Sequence, residues 1–253
     1  MAIGVYTSVL KRIREGGGKV RVAEFELADA LVCFVLTSLF AMLVGAAWVQ
    51  PRPAQGAIDV NNVLVGSPFP ILMVGIASFL AYRGIKLTRL LGFDRISVGR
   101  SLLMAVGLIM AAYPLVFLAS SISEALWHES ENEQGLVTLF REMSRQNNFK
   151  SMSIIFLAAV VLAPISEEFV FRGYFYGTLK RYCGPVGSAL LTAALFAAIH
   201  LNLQSLLSLF ALALTLTVAY EATGSLLVPV TMHALFNFSQ LAYLYWSAQS
   251  QPS

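Results

Sequence analysis

Apolar residues along this chain come in long runs, several near 20 residues, and polar residues crowd into the short stretches between them. A helix of that length, rising 1.5 Å per residue, crosses a hydrocarbon core of about 30 Å. The pattern predicts membrane-spanning helices over residues 27–49, 65–82, 101–122, 151–179, 186–201, 206–220 and 226–246. The expected fold class is all-α: a polytopic membrane helix bundle of about seven transmembrane helices. Gln50-Pro51-Arg52-Pro53 closes the first run. Pro68 and Pro70 fall at the start of the second, where proline is tolerated, and Pro114 predicts a kink in the third. Gly184-Pro185 and the stretch from Glu221 to Ser225 predict later turns. By segment, the reading is a basic cytosolic N-terminal stretch at 1–26, helices over 27–122, an acidic extracytoplasmic loop at 123–150, a catalytic core over 151–247 and a tail at 248–253.

Composition agrees with the pattern. Of 253 residues, 57% are hydrophobic and 12% charged, against about 25% charged in a soluble domain. A net charge of +3 gives no reason to expect nucleic acid. Cys33 and Cys183 offer no disulfide framework and are read as reduced thiols. The first long apolar run is too long for a cleavable signal. Charge also orients the bundle. Lys11, Arg12, Arg14, Lys19 and Arg21 precede the first run. Arg83, Lys86, Arg89, Arg95 and Arg100 crowd the second connection, and Lys180-Arg181 mark a later one. With the N-terminus inside, all three groups face the cytoplasm. The acidic connection carrying Glu124, Glu129, Glu131, Glu133 and Glu142 then lies outside, with the C-terminus. Residues 5–13 suit a short amphipathic helix on the inner leaflet, but a solvated tail is the plainer reading. Residues 136–143 suit an interfacial helix, and His128 reads as a surface residue.

One stretch breaks the apolar pattern: Ser166-Glu167-Glu168-Phe169-Val170-Phe171-Arg172-Gly173. Each ionisable side chain at that depth costs a few kcal/mol, so it must pair, face a cavity or do chemistry. Glu168 and Arg172 are four residues apart on one helix face and can pair. Glu167 points about 100° away and is left for a substrate or a water. A buried ion pair that only fixes helix packing is the plainer explanation for Glu168 and Arg172, but not for Glu167. Among three histidines, His200 and His233 fall within predicted spans, and Asn237 lies one turn beyond His233 on its face. By helix rise, Glu167 sits about 20 Å from Lys180, His200 about 24 Å from Gly184 and His233 about 12–14 Å from Gly224. With tilt, these can meet at one depth. Taken singly, His200 could be interfacial, and His233 and Asn237 could be hydrogen-bond glue between helices. Asn237-Phe238-Ser239 matches a glycosylation pattern but falls within a span and is discounted.

Glu167-Glu168-x-x-x-Arg172, Phe196-x-x-x-His200 and His233-x-x-x-Asn237 resemble the three motifs of the CPBP intramembrane proteases. These are the CAAX prenyl protease type II and bacteriocin-processing enzymes, also called the Abi family. The flanks Glu-Glu-Phe-Val-Phe-Arg-Gly at 167–173 and Thr-Gly-Ser-Leu-Leu-Val-Pro at 223–229 look similar too. The resemblance covers about 150–240 and implies an intramembrane endopeptidase acting on membrane-associated or lipidated peptides within the bilayer. It implies that Glu167 and His200 activate a water, and that His233 and Asn237 serve the tetrahedral intermediate. Glu168, held by Arg172, would orient these groups, with Phe196 supporting. The family is often labelled metalloprotease. Glu167, His200 and His233 could form a zinc site of the two-histidine, one-carboxylate kind, or the same residues could work without metal. The metal-free route is preferred here because Asn237 suits a donor better than a ligand. Two other classes use such residues: a transporter or proton relay, and a non-catalytic scaffold or bacteriocin-immunity protein on the same fold. A bacterial inner membrane is the expected location, which would make prenylated substrates unlikely.

Overall fold

The computed structural model describes residues 2–16, 18–49, 67–127 and 135–250, and these contain helices but no strand. In chain order they are α1 (Ala2–Gly16), α2 (Leu27–Val49), α3 (Phe69–Tyr82), the single turn α4 (Leu87–Leu90), α5 (Val98–Leu126) and α6 (Gly135–Arg145). A continuous 50-residue helical stretch, Phe149–Ala198, follows. It is broken at Gly184, whose φ of 72° and ψ of 171° lie outside the helical region. The break separates residues 149–183 (α7) from 185–198 (α8). Then come α9 (Leu203–Thr223) and α10 (Leu227–Ser250). Four helical stretches, α2, α5, the α7–α8 stretch and α9, are long and apolar enough to cross a membrane, and α3 is a shorter apolar helix. The molecule is a helical membrane bundle. The expected start of the second span near residue 65 lies outside the described residues, as do the loop at 50–66 and His128, Glu129, Glu131 and Glu133.

Breakers act where their chemistry demands. Gly184 and Gly224 (φ 68°) take the left-handed backbone that glycine tolerates best. α5, by contrast, runs through Pro114 without interruption. Its two sides show how a membrane helix is used. Ala105, Ile109, Ala112 and Val116 are buried, while Leu103, Met110 and Phe117, seven apart, are 74%, 65% and 74% exposed. The second stripe is as apolar as the first because its solvent is lipid.

The described connections sort to two ends. At one, residues 18–26 form a strap across the bundle. Lys19 N donates to Glu221 O (2.9 Å), Lys180 Nζ to Val20 O (3.2 Å) and Arg181 to Ala23 O (2.8 Å), while Arg21 reaches Arg89 O. Leu226 N donates to Leu91 O (2.9 Å) at the same end. At the other, Ser123 Oγ donates to Leu203 O (3.0 Å) and Gln249 to Ser144 O (3.2 Å). α6 packs there through Leu139, Phe140 and Met143 against Ile155, Leu241 and Leu244. The N-terminal residues form a packed helix rather than a solvated tail. Tyr6 is 6% exposed, sits among Ala105, Leu108 and Leu212, and donates to Leu108 O (3.0 Å). One buried aromatic ring with its hydroxyl satisfied is enough to dock the helix. The last helix likewise extends to Ser250, beyond the expected start of the tail.

Candidate active site

α7 is not a uniform α-helix. It widens to π-helical geometry over Leu157–Leu162 and again over Phe169–Tyr176, on either side of Glu167 and Glu168. Proline explains the first widening. Pro164 has no N–H and its ring crowds the turn before it. Ala163 N donates five residues back, to Ala158 O. In that register Ala159 O would face Pro164, which has nothing to donate. Asn237 Nδ2 fills the gap, donating to Ala159 O at 2.7 Å. Thus the proline in α7 places the asparagine of α10. The second widened turn packs closely because one glycine lies within it and another follows it: a Cβ on Gly173 would sit 2.9 Å from Leu91, and one on Gly177 would sit 2.5 Å from the Phe25 ring. Such turns recur at functional sites.

Glu168 and Arg172 meet as expected. Glu168 Oε1 accepts from Arg172 Nη1 (2.8 Å) and from His233 Nδ1 (2.9 Å). Both members of the ion pair are at most 1% exposed. Arg172 Nη2 donates to Ala213 O (3.1 Å), and its guanidinium lies 4.8 Å over the Phe196 ring. Phe196 is the hub: the His200 and His233 rings stand 4.9 Å and 5.8 Å from it. His200 Nδ1 contacts Phe196 O (2.7 Å) and lies within electrostatic range of Glu167, His233 and Arg172. Glu167 is 9% exposed and makes no hydrogen bond or ion pair with any described residue.

The partners settle which ring nitrogen faces the site. A carbonyl can only accept, so His200 Nδ1 carries the proton and Nε2 offers a lone pair. A carboxylate paired with arginine also accepts, so His233 Nδ1 carries a proton and its Nε2 is the free position.

A family model described as type II CAAX prenyl endopeptidase Rce1-like matches residues 149–239. A 24.3 kDa protein of Escherichia coli, named only as uncharacterized, is 34% identical over 205 residues, 79% of this chain and 89% of that protein. The chain belongs to the Rce1-like family. A Bacillus subtilis protein named "Putative membrane peptidase YdiL" is 25% identical over 144 residues, 56% of this chain and 55% of that protein. No solved structure matches the chain significantly. The Rce1-like match runs from the start of α7 into α10 and so contains Glu167, Glu168, Arg172, Phe196, His200, His233 and Asn237.

Among the described residues no three His, Cys, Asp or Glu side chains are grouped as a metal site. His233 Nδ1 donates to Glu168, which leaves Nε2 as its one possible ligand atom. Glu167, His200 and His233, as placed, are not gathered into a zinc site. Part of what supports the Rce1-like core carries no signal in the sequence. Ala159 O and Ala213 O, the acceptors that hold Asn237 and Arg172, are backbone atoms and leave no mark in side-chain chemistry. Asp29 and Glu221 are buried too. Asp29 pairs with Arg83, and Glu221 binds Lys180 and Tyr176 (2.6 Å).

Proposed function

We propose that this protein is an intramembrane endopeptidase that hydrolyses a peptide bond in a membrane-associated or lipidated substrate, with water activated by Glu167 and His200. The observation that carries the reading is the contrast within the glutamate pair. Glu168 is tied to Arg172 and His233, whereas Glu167, buried one residue away, makes no hydrogen bond or ion pair with a described residue. A fold that only needed an ion pair would not retain the second carboxylate.

A water between Glu167 and the His200 Nε2 lone pair loses its proton to one of them as its oxygen attacks the scissile carbonyl. The carbonyl oxygen becomes an oxyanion. One amide hydrogen of Asn237 is used on Ala159 O, and the second is free to donate. His233 Nδ1 donates to Glu168, which fixes the ring and leaves Nε2 as its free position beside the intermediate. As the C–N bond breaks, the abstracted proton passes to the leaving amine. Family membership and the relative's name support a peptidase, and the three basic groups support an N-terminus on the cytoplasmic side.

The test is cleavage in liposomes of a pool of lipidated and unlipidated membrane peptides by wild type and Glu167→Gln. Cleavage lost in a variant that still inserts supports the reading. Equal cleavage by both proteins would overturn it. With the donor set unassembled, activity is expected to survive a zinc chelator.

A further inference from the structure

Outside the catalytic core, the strap end of the bundle carries a cavity of about 290 Å³, near the lower end of ligand-site sizes. Gly84, Ile85 and Leu90 form its walls, and Glu24, Lys86 and Arg89 bring charge to it. Three observations bear on its occupant. The Lys86 and Arg89 side chains are exposed and make no ion pair or hydrogen bond with any described residue. Glu24 Oε2 is buried without a partner. The cavity adjoins the end of α3, where Tyr82 is 92% exposed after a helix whose Ile71 and Val74 face outward, an arrangement that suits the interface between lipid headgroups and water.

We propose that this cavity binds the headgroup of an ethanolamine phospholipid, with the phosphate between Lys86 and Arg89 and the primary ammonium on Glu24. Two cations beside one carboxylate match a zwitterion better than an anion, because Glu24 repels a second negative charge. A buried acceptor without a partner is costly, and a primary ammonium brings three N–H donors to satisfy it. A choline headgroup brings none. A soluble phosphoethanolamine shares the polar chemistry, but the exposed apolar flank of α3 favours a molecule with acyl chains.

The test is thermal melting of the delipidated protein in detergent, titrated with phosphatidylethanolamine, phosphatidylcholine, phosphatidylglycerol or soluble glycerophosphoethanolamine. Phosphatidylethanolamine is expected to raise Tm by about 3 °C or more, beyond the other three. Lys86→Ala with Arg89→Ala should remove that rise, and Glu24→Gln should level the preference between ethanolamine and glycerol headgroups. These variants should melt with wild type when lipid is absent, since the altered side chains hold nothing else together. An equal response to all three lipids would overturn the proposal, as would an unchanged rise in the double variant. A rise reproduced by the soluble headgroup would overturn its lipid part.

Discussion

Glu168 carries three relations at once: an ion pair to Arg172, a hydrogen bond from His233, and a place beside the unpartnered Glu167. Removing either member of a buried pair strands the other. Arg172→Ala and Glu168→Ala should each cost about 3–5 kcal/mol in reversible unfolding. Arg172→Lys is not a mild change either. The guanidinium uses Nη1 on Glu168, Nη2 on Ala213 O and its face on Phe196, and one ammonium cannot reproduce that fork. A loss of about 1–3 kcal/mol is expected, measured the same way. Glu167→Gln should behave in the opposite sense. It removes a buried charge that accepts no hydrogen bond and makes no ion pair with a described residue, so stability should hold or rise while cleavage falls about 10²–10⁴-fold. Melting curves and initial rates on one preparation would check both halves.

α7 owes its shape to punctuation as much as to hydrophobicity. Pro164→Ala would return an N–H to the turn and offer Ala159 O a backbone donor. Asn237 would lose its anchor, so cleavage should drop about tenfold or more with little change in melting temperature. The same variant in an Asn237→Ala background should show no further drop. Gly177 sets a second limit: Gly177→Ala drives a methyl into the Phe25 ring and should cost about 1–3 kcal/mol, relieved in part by Phe25→Leu. The existence of α2, α5, α7 and α9 was legible from apolar runs alone. Their orientation was not. On α5 the lipid-facing Leu103, Met110 and Phe117 are as apolar as the buried Ala105, Ile109 and Ala112, so hydrophobic periodicity carries no inside-out signal.

Seen end to end, the bundle gathers its strap, the α3–α5 connection, the Gly184 break and the Gly224 turn at one end. Basic residues mark that end, so it is expected to face the cytoplasm. The chain carries its own probe: Cys183 is exposed there while Cys33 is buried. A membrane-impermeant maleimide should label Cys183 in inside-out vesicles and leave right-side-out cells unlabelled; the reverse pattern would invert the topology. The glycine turns that permit this gathering could be placed from sequence. The charge pairs that fasten the strap end could not. Asp29 meets Arg83 across 54 residues, and Glu221 meets Lys180 across 41.

What could be known without coordinates was whatever depends on neighbours along one helix. Long apolar runs make helices, glycine and proline break them, and Glu168 finds Arg172 one turn away. Even the polar set Glu167, His200, His233 and Asn237 stood out, because a membrane leaves few polar residues to choose from. What needed the packed bundle was every relation between helices and every property of the backbone. Glu168 meets His233 across 65 residues, Arg172 takes the carbonyl of Ala213, and Asn237 takes the carbonyl that Pro164 leaves unpaired. A carbonyl is the same in every residue, so sequence cannot mark the one that will be orphaned. Only the register of α7 and the approach of α10 select it.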